Sequence, residues 1–288
     1  MKFYTTVCIG ILVLFCFSCK KVSCTDSELK YSYFVAGHTY GKPGIDNIGF
    51  HPPFRDVFSF LKEEKKMDFG VLTGDIVLTG TEQNWNEVDV DISELGLPIY
   101  FAVGNHDMTD RELFESRYGE TYYSFTKNDD LFIVLDPNID NWNISGEQLD
   151  FLAETLTIQA SDANNIFVFF HQLLWWDSNN IYQNVILNSL ANRAEQINFW
   201  TEVEPLFSVL SNPVYMFAGD VGAFNTGSEF MFHEYENISF IASGMGGEER
   251  DNIIIVDVNE NNCVDLRLVA LNGSDLNALG DLKDYTLP

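Results

Sequence analysis

The sequence predicts an α/β fold with one functional site at the carboxyl edge of a mixed β-sheet. Three stretches carry that expectation. The apolar run Leu97 to Val103 leads into Gly104-Asn105-His106-Asp107, the run Asp68 to Thr73 leads into Gly74-Asp75, and Asn165 to Phe170 ends at His171. Each reads as a buried strand, and glycine at a strand end permits the tight turn that presents the next side chain. Each strand is closed by a residue type that ligates metal, and strand ends of this kind converge at one edge of an open α/β sheet. The Asn105 oxygen is a hard ligand for a divalent cation. His106 is placed to donate to a phosphoryl oxygen or a leaving alkoxide, with Asp107 expected to hold its ring.

At these blocks the chain resembles the calcineurin-like metallophosphoesterases. Their usual order is Asp-x-His, Gly-Asp, Gly-Asn-His-Asp/Glu, a lone His after a strand, and Gly-His-x-His. The resemblance runs from about Tyr31 to Val258 and implies a four-layer sandwich, two mixed β-sheets flanked by helices. Two blocks depart from the pattern. Ala36-Gly37-His38 stands for Asp-x-His, and Gly219-Asp220-Val221-Gly222 stands for Gly-His-x-His.

Carried over residue by residue, the resemblance implies a second metal held by Asp75, Asn105, His171 and Asp220. The first metal keeps only His38 and Asp75, since Ala36 and Gly222 carry no ligating side chain. The expectation is therefore one divalent ion per chain (manganese, zinc, iron, magnesium or calcium), or one tight and one weak, with His106 and Asp107 as the catalytic pair. His51, in the Gly/Pro loop Gly41 to Pro53, is either a replacement ligand or, preferably, a solvent-facing loop histidine.

Composition narrows the partners. The 288 residues are 46% apolar, enough for one sizeable core, and 16 Lys+Arg against 43 Asp+Glu give a net charge of -27. That balance argues against nucleic acid or an anionic membrane surface as a partner. Met1-Lys2 followed by the apolar segment Val7 to Ser18 resembles a signal peptide over residues 1–18, and Cys16-Phe17-Ser18-Cys19 resembles a lipoprotein processing site. A lipid on Cys19, a polar tether over 19–30 and a single domain over 31–288 follow, in a bacterial cell envelope. Cys24 and Cys263 remain available to pair.

The elements follow in order. Tyr31 to Ala36 is a strand. Phe54, Val57, Phe58 and Leu61 fall at helical spacing, predicting a helix over Pro53 to Lys66. Thr109-Asp110-Arg111-Glu112 reads as a capping box opening a helix to about Arg117. Thr121 to Thr126 and Leu131 to Leu135 pair across a polar turn. A second capping box at Ser145 opens a helix with Leu149, Leu152 and Leu156 inward.

Gln172 to Phe199 is a long irregular connection in which Trp175 and Trp176 either pack or stack on a substrate. Thr201 to Leu210 is a helix and Pro213 to Ala218 a strand. Phe230 to Phe232, Ile238 to Ala242, Ile253 to Val258 and Cys263 to Leu271 are expected in the second sheet.

Two functions stay open. One is an exported phosphoesterase acting on a small phosphate ester through a reduced centre. The other is an inert relative that binds a glycan, peptide or other envelope component. A serine or cysteine hydrolase lacks Gly-x-Ser-x-Gly, and dinucleotide binding lacks Gly-x-Gly-x-x-Gly.

Overall fold

The computed structural model describes residues 27–45, 47–224 and 227–288. The expected signal segment, Cys19 and Cys24 lie outside them. Cys263 is disulfide-bonded.

Strands β1 (Leu29–Ala36), β2 (Met67–Thr73) and β3 (Ile99–Ala102) run parallel. With β10 (Asn252–Asn259) and β11 (Val264–Ala270) they form a five-stranded sheet of order β11-β10-β1-β2-β3. The second sheet has six strands, β4 (Tyr123–Lys127), β5 (Asp130–Val134), β6 (Ile166–Phe169), β7 (Val214–Ala218), β8 (Phe230–Tyr235) and β9 (Ile238–Ser243), ordered β4-β5-β6-β7-β9-β8. Helices α1 (Pro52–Asp56), α2 (Phe58–Glu63), α3 (Glu82–Leu95) and α4 (Arg111–Tyr118) are tied to the first sheet by the core of Phe34, Phe54, Leu61, Trp85 and Phe114. α5 (Gly146–Gln159) and α6 (Glu204–Ser208) pack on the second through Leu152, Leu156 and Phe207. Between the sheets lies an aromatic layer in which Tyr33, Phe69, Phe132, Phe167 and Phe169 are buried, with the Tyr33 and Phe69 rings stacked at 4.8 Å. The four-layer arrangement is the expected one.

One expectation about the sheets fails. β10 and β11 belong to the first sheet, where β10 pairs antiparallel with β1. The reason is two-sided burial: Ile253 and Ile255 join the helix-side core, while Ile254 and Val256 join the layer between the sheets. Such a strand needs cover on both faces.

Local signals were also redistributed. The expected helix over 53–66 is broken at Val57 into α1 and α2. Asp110, not Thr109, caps α4, its carboxylate accepting from the Leu113 amide, while Thr109 Oγ1 donates to His106 and accepts from Gly80 N. Ser145 precedes α5 but gives its hydroxyl to Asp140 instead of capping. Thr201 to Leu210 opens as a π-helix over Phe199–Val203 before α6. The β4–β5 turn is two residues, Asn128 and Asp129, both at positive φ, as a tight hairpin requires. Among the described residues no helix is long and apolar enough to cross a membrane.

Candidate metal centre

The site is built from strand ends of both sheets. After β2, Gly74 and Asp75 take φ of 82° and 50°, a left-handed pair that turns the chain back and leaves the Asp75 carboxylate buried. Its Oδ2 lies 3.3 Å from His171 Nε2 and 3.7 Å from His38 Nε2, and its Oδ1 accepts from the His106 amide at 3.1 Å. Gly104 permits this approach, since a Cβ there would fall 2.2 Å from Asp75 Oδ1. His171 follows β6 and donates through Nδ1 to the Thr73 carbonyl at 2.9 Å, turning Nε2 toward Asp75 and Asp220. Asp220 follows β7, its Oδ1 3.7 Å from that same Nε2.

Asp75, His171 and Asp220 each offer one ligand atom, all within 4.8 Å of one another, and all three residues are buried. Ligands about 2.1 Å from a tetrahedral ion sit about 3.4 Å apart, close to the 3.3 and 3.7 Å found here. His171 Nε2 and both Asp220 carboxylate oxygens are buried without an aligned hydrogen-bond partner. Unpaired polar atoms at such depth cost free energy unless a cation satisfies them.

The electrostatics agree. Burial pushes Asp220 well above the usual carboxylate range and Asp75 adds to that, His171 opposing. Burial alone would raise Asp75 too, but His171, His38 and His106 hold it below its ordinary value. Burial would lower His171, yet Asp75 and Asp220 hold it up at about 10. The residues fit one divalent ion, and among the described residues this is the one group of three or more His, Cys, Asp or Glu side chains with metal-site spacing.

His38 is buried with Nδ1 donating to Met245 O at 3.0 Å, so Nε2 faces Asp75. Burial pushes it down to about 4. Among the described residues no further His, Cys, Asp or Glu completes a second cage around it. Ala36 packs into the helix-side core with Phe34 and Leu72. Gly222 sits at φ 82°, where a Cβ would meet the Gly244 carbonyl carbon at 2.6 Å, so the chain has closed over the space of a side chain. His51 is neither solvent-facing nor a replacement ligand. It is buried and its Nε2 is paired with Asp251 at 3.0 Å, clasping the 41–51 loop to the 245–251 loop.

His106 is half-buried and donates through Nδ1 to Leu78 O at 2.7 Å, leaving Nε2 uncommitted. The expected Asp107–His106 partnership is absent. Asp107 is fully buried, with Oδ1 accepting from the Ile76 and Val77 amides at 2.8 and 3.0 Å and Oδ2 from Gly104 N at 2.8 Å. The carboxylate serves three backbone amides because the turns after β2 and β3 both expose donors that water cannot reach. Burial, then Asp75, pushes its carboxyl up to about 7 against those hydrogen bonds. Asn105 lies between these anchors, half-exposed, its amide making no hydrogen bond among the described residues.

Sequence reasoning missed Tyr40. Its ring packs 4.3 Å from His38 and 5.0 Å from His106. Burial, then Asp75, Asp220 and Asp107, raise its phenol above the ordinary value, so the hydroxyl stays a donor. A Tyr two residues beyond the strand-end His was the available signal. Trp175 packs on Phe240 at 4.8 Å and is fully buried, which settles its role as core.

A buried carboxylate–imidazole–carboxylate triad with metal-site spacing thus stands where the strand ends of two mixed sheets meet. Residues 38–244 match the family model of the calcineurin-like phosphoesterases, and the chain belongs to that family, as a divergent member with degenerate first and last metal-binding blocks. Among solved structures it is similar to purple acid phosphatase PPD1 from yellow lupin (Lupinus luteus), at 11% identity and a TM-score of 0.62. That match covers 85% of this chain and 52% of the lupin chain, so this chain spans about half the lupin enzyme's length. It is also similar to Vps29 from Entamoeba histolytica, at 8% identity and a TM-score of 0.37, covering 84% of this chain and 99% of that one. No curated protein matches the chain.

Proposed function

We propose that this chain is an exported phosphoesterase that hydrolyses a phosphomonoester or phosphodiester at a reduced, single-metal centre. The observation that carries the reading is the triad of Asp75, His171 and Asp220, with Nε2 and two carboxylate oxygens buried and unpartnered. A divalent ion held there would supply Lewis acidity toward a phosphoryl oxygen and lower the pKa of water.

The chain's own residues do the rest. His106, fixed through Nδ1 to Leu78, presents Nε2 to give a proton to the leaving oxygen. Tyr40 offers its hydroxyl as a hydrogen-bond donor to the phosphoryl group in place of charge lost with the first-metal ligands. Asp107 is a positioning residue that holds the Asp75 and Asn105 turns in register. Export is supported by the Lys2 and Val7 to Ser18 pattern and by the disulfide at Cys263, a bond that persists in oxidising compartments. Ser18-Cys19 supports a lipid anchor at Cys19.

The test is elemental analysis of the soluble form, residues 20–288, with hydrolysis of an aryl phosphate and an aryl phosphodiester in added manganese or zinc. About one ion per chain, with turnover lost in Asp75→Ala, is the expected result. No bound ion and no turnover would overturn it, in favour of the binding protein that Ala36 and the closed space at Gly222 suit.

A further inference from the structure

A cavity of about 160 Å³ is lined by Asn105, Met108, Asn138, Asn141, Trp142 and Asn192, with Pro137 and Ala191 completing it. Two of its lining residues lead to the metal centre: Asn105 precedes His106, whose amide donates to Asp75, and Asn138 accepts from Gln172, the residue after His171. No lining residue carries a charge. That composition stands out in a chain where Asp and Glu number 43.

The carboxamides dominate its chemistry. Each offers two donors and an acceptor, the pattern that meets a hydroxyl from either side. Asn138 is spent on structure, donating to Val103 O and Asp136 and accepting from Gln172. The half-exposed amide of Asn105 and the exposed amides of Asn141 and Asn192 make no hydrogen bond among the described residues, so water alone meets them and a ligand hydroxyl can replace it. Gln172, directly after His171, is 1% exposed and its Oε1 has no partner.

The walls are held in costly conformations. Asn141, Trp142 and Asn192 have φ of 51°, 76° and 58°, and a bulky residue such as Trp rarely adopts this region. Trp142 Nε1 donates to Ala191 O at 3.2 Å and Ala194 N to Asn141 O at 3.1 Å, locking the two segments together. Strain held this way clusters at ligand sites.

Size and charge choose the ligand. The volume equals about five waters at roughly 30 Å³ each and lies below the roughly 300 Å³ where pockets for drug-sized ligands begin. A small group fills it, and a second phosphate would find no counter-charge among its lining residues. We propose that this cavity is the leaving-group subsite, and that the ester cleaved is the phosphate of a small neutral polyol or monosaccharide. The inference rests on the phosphoesterase reading and names its substrate class. In the step, the oxygen of water bonds to phosphorus and the ester P–O bond breaks with its electron pair on the polyol oxygen. That oxygen takes a proton from His106, and a proton from the water restores His106 through solvent.

The test compares glycerol 1-phosphate with n-propyl phosphate, the same carbon chain without the hydroxyls, in added manganese. The wild type is expected to favour the glycerol ester at least about tenfold in kcat/KM, since a site built for hydroxyls rejects the analogue lacking them. In Asn141→Gly/Asn192→Gly, which deletes both amides while tolerating the left-handed backbone, the ratio falls toward one. A wild-type ratio near one, with both esters turned over, overturns the subsite and leaves the phosphoesterase reading intact. So does a ratio unchanged in the double variant. Turnover of no ester, aryl phosphate included, overturns both.

Discussion

Asp220→Asn separates the roles a buried carboxylate can play. In the wild type, an ion that binds only the folded chain at 100 times its Kd adds about 2.7 kcal/mol of stability. For a domain of this size each kcal/mol moves Tm by about 2–4 °C, so the expected rise is about 5–10 °C. Asn keeps the shape but removes the charge and one ligand oxygen. Partners one shell further out typically cost 10–100-fold in affinity, so the loss of a ligand is at least that large. A 100-fold loss leaves RT ln 2, about 0.4 kcal/mol, a shift of only about 1–2 °C. Without metal the variant should be as stable as the wild type or more so, because Asp220 carries two unpartnered oxygens that burial disfavours. Thermal unfolding with chelator and with manganese or zinc reads both effects. A full metal-induced rise in the variant, or a marked fall in its metal-free Tm, would refute the reasoning.

Other expectations follow from the same geometry. His106→Ala should lower kcat by 10²–10⁴-fold, with a larger loss for phenyl phosphate than for nitrophenyl phosphate, whose leaving oxygen needs less protonation. The metal-induced Tm rise should stay, because the triad does not include His106; equal losses for both esters would remove its role as acid. The metal-free protein should be more stable at pH 6 than at pH 9. His171, raised to about 10, gives stability that is full below the unfolded value near 6.5 and lost as pH climbs through 10, and Asp107, raised to about 7, loses its contribution between about 4 and 7. A Tm in chelator that is flat or rising from pH 6 to 9 contradicts this. Gly222→His should lower Tm and leave the ion count at one, since even a Cβ there meets backbone; two ions per chain by elemental analysis would show that the space reopens.

The sandwich was legible because its strands are long apolar runs with ligand types at their ends, a pattern fixed by burial and turn chemistry together. The triad was legible for the same reason: Asp75 and Asp220 each follow the glycine that ends a strand, and His171 lies two residues past β6. The sheet membership of β10 was not, since a strand such as Ile253 to Val256 buried on both faces looks the same in either sheet. Asp107 was misread because adjacency to His106 suggests a ring partner, whereas its competing partners are three amides, two of them about thirty positions away in sequence. α3 escaped notice although Thr81 accepts from Asn84 N at its start and Gly96 is left-handed at its end, because its acidic face masks Trp85, Val88 and Leu95. Tyr40 was invisible for a different reason. Its place between two histidines exists only in three dimensions.

Asp75 is delivered by the first sheet, His171 and Asp220 by the second. Neither sheet alone therefore holds the full triad, and an unfolded chain does not bring its members together. Loading must wait until the sheets have closed on one another. The ion that enters is then drawn from whatever pool the folded chain meets, and divalent affinities rank in much the same order for most donor sets. The identity of the metal is in this sense a record of place: it reports the surroundings of the closed sandwich, not those of the nascent chain.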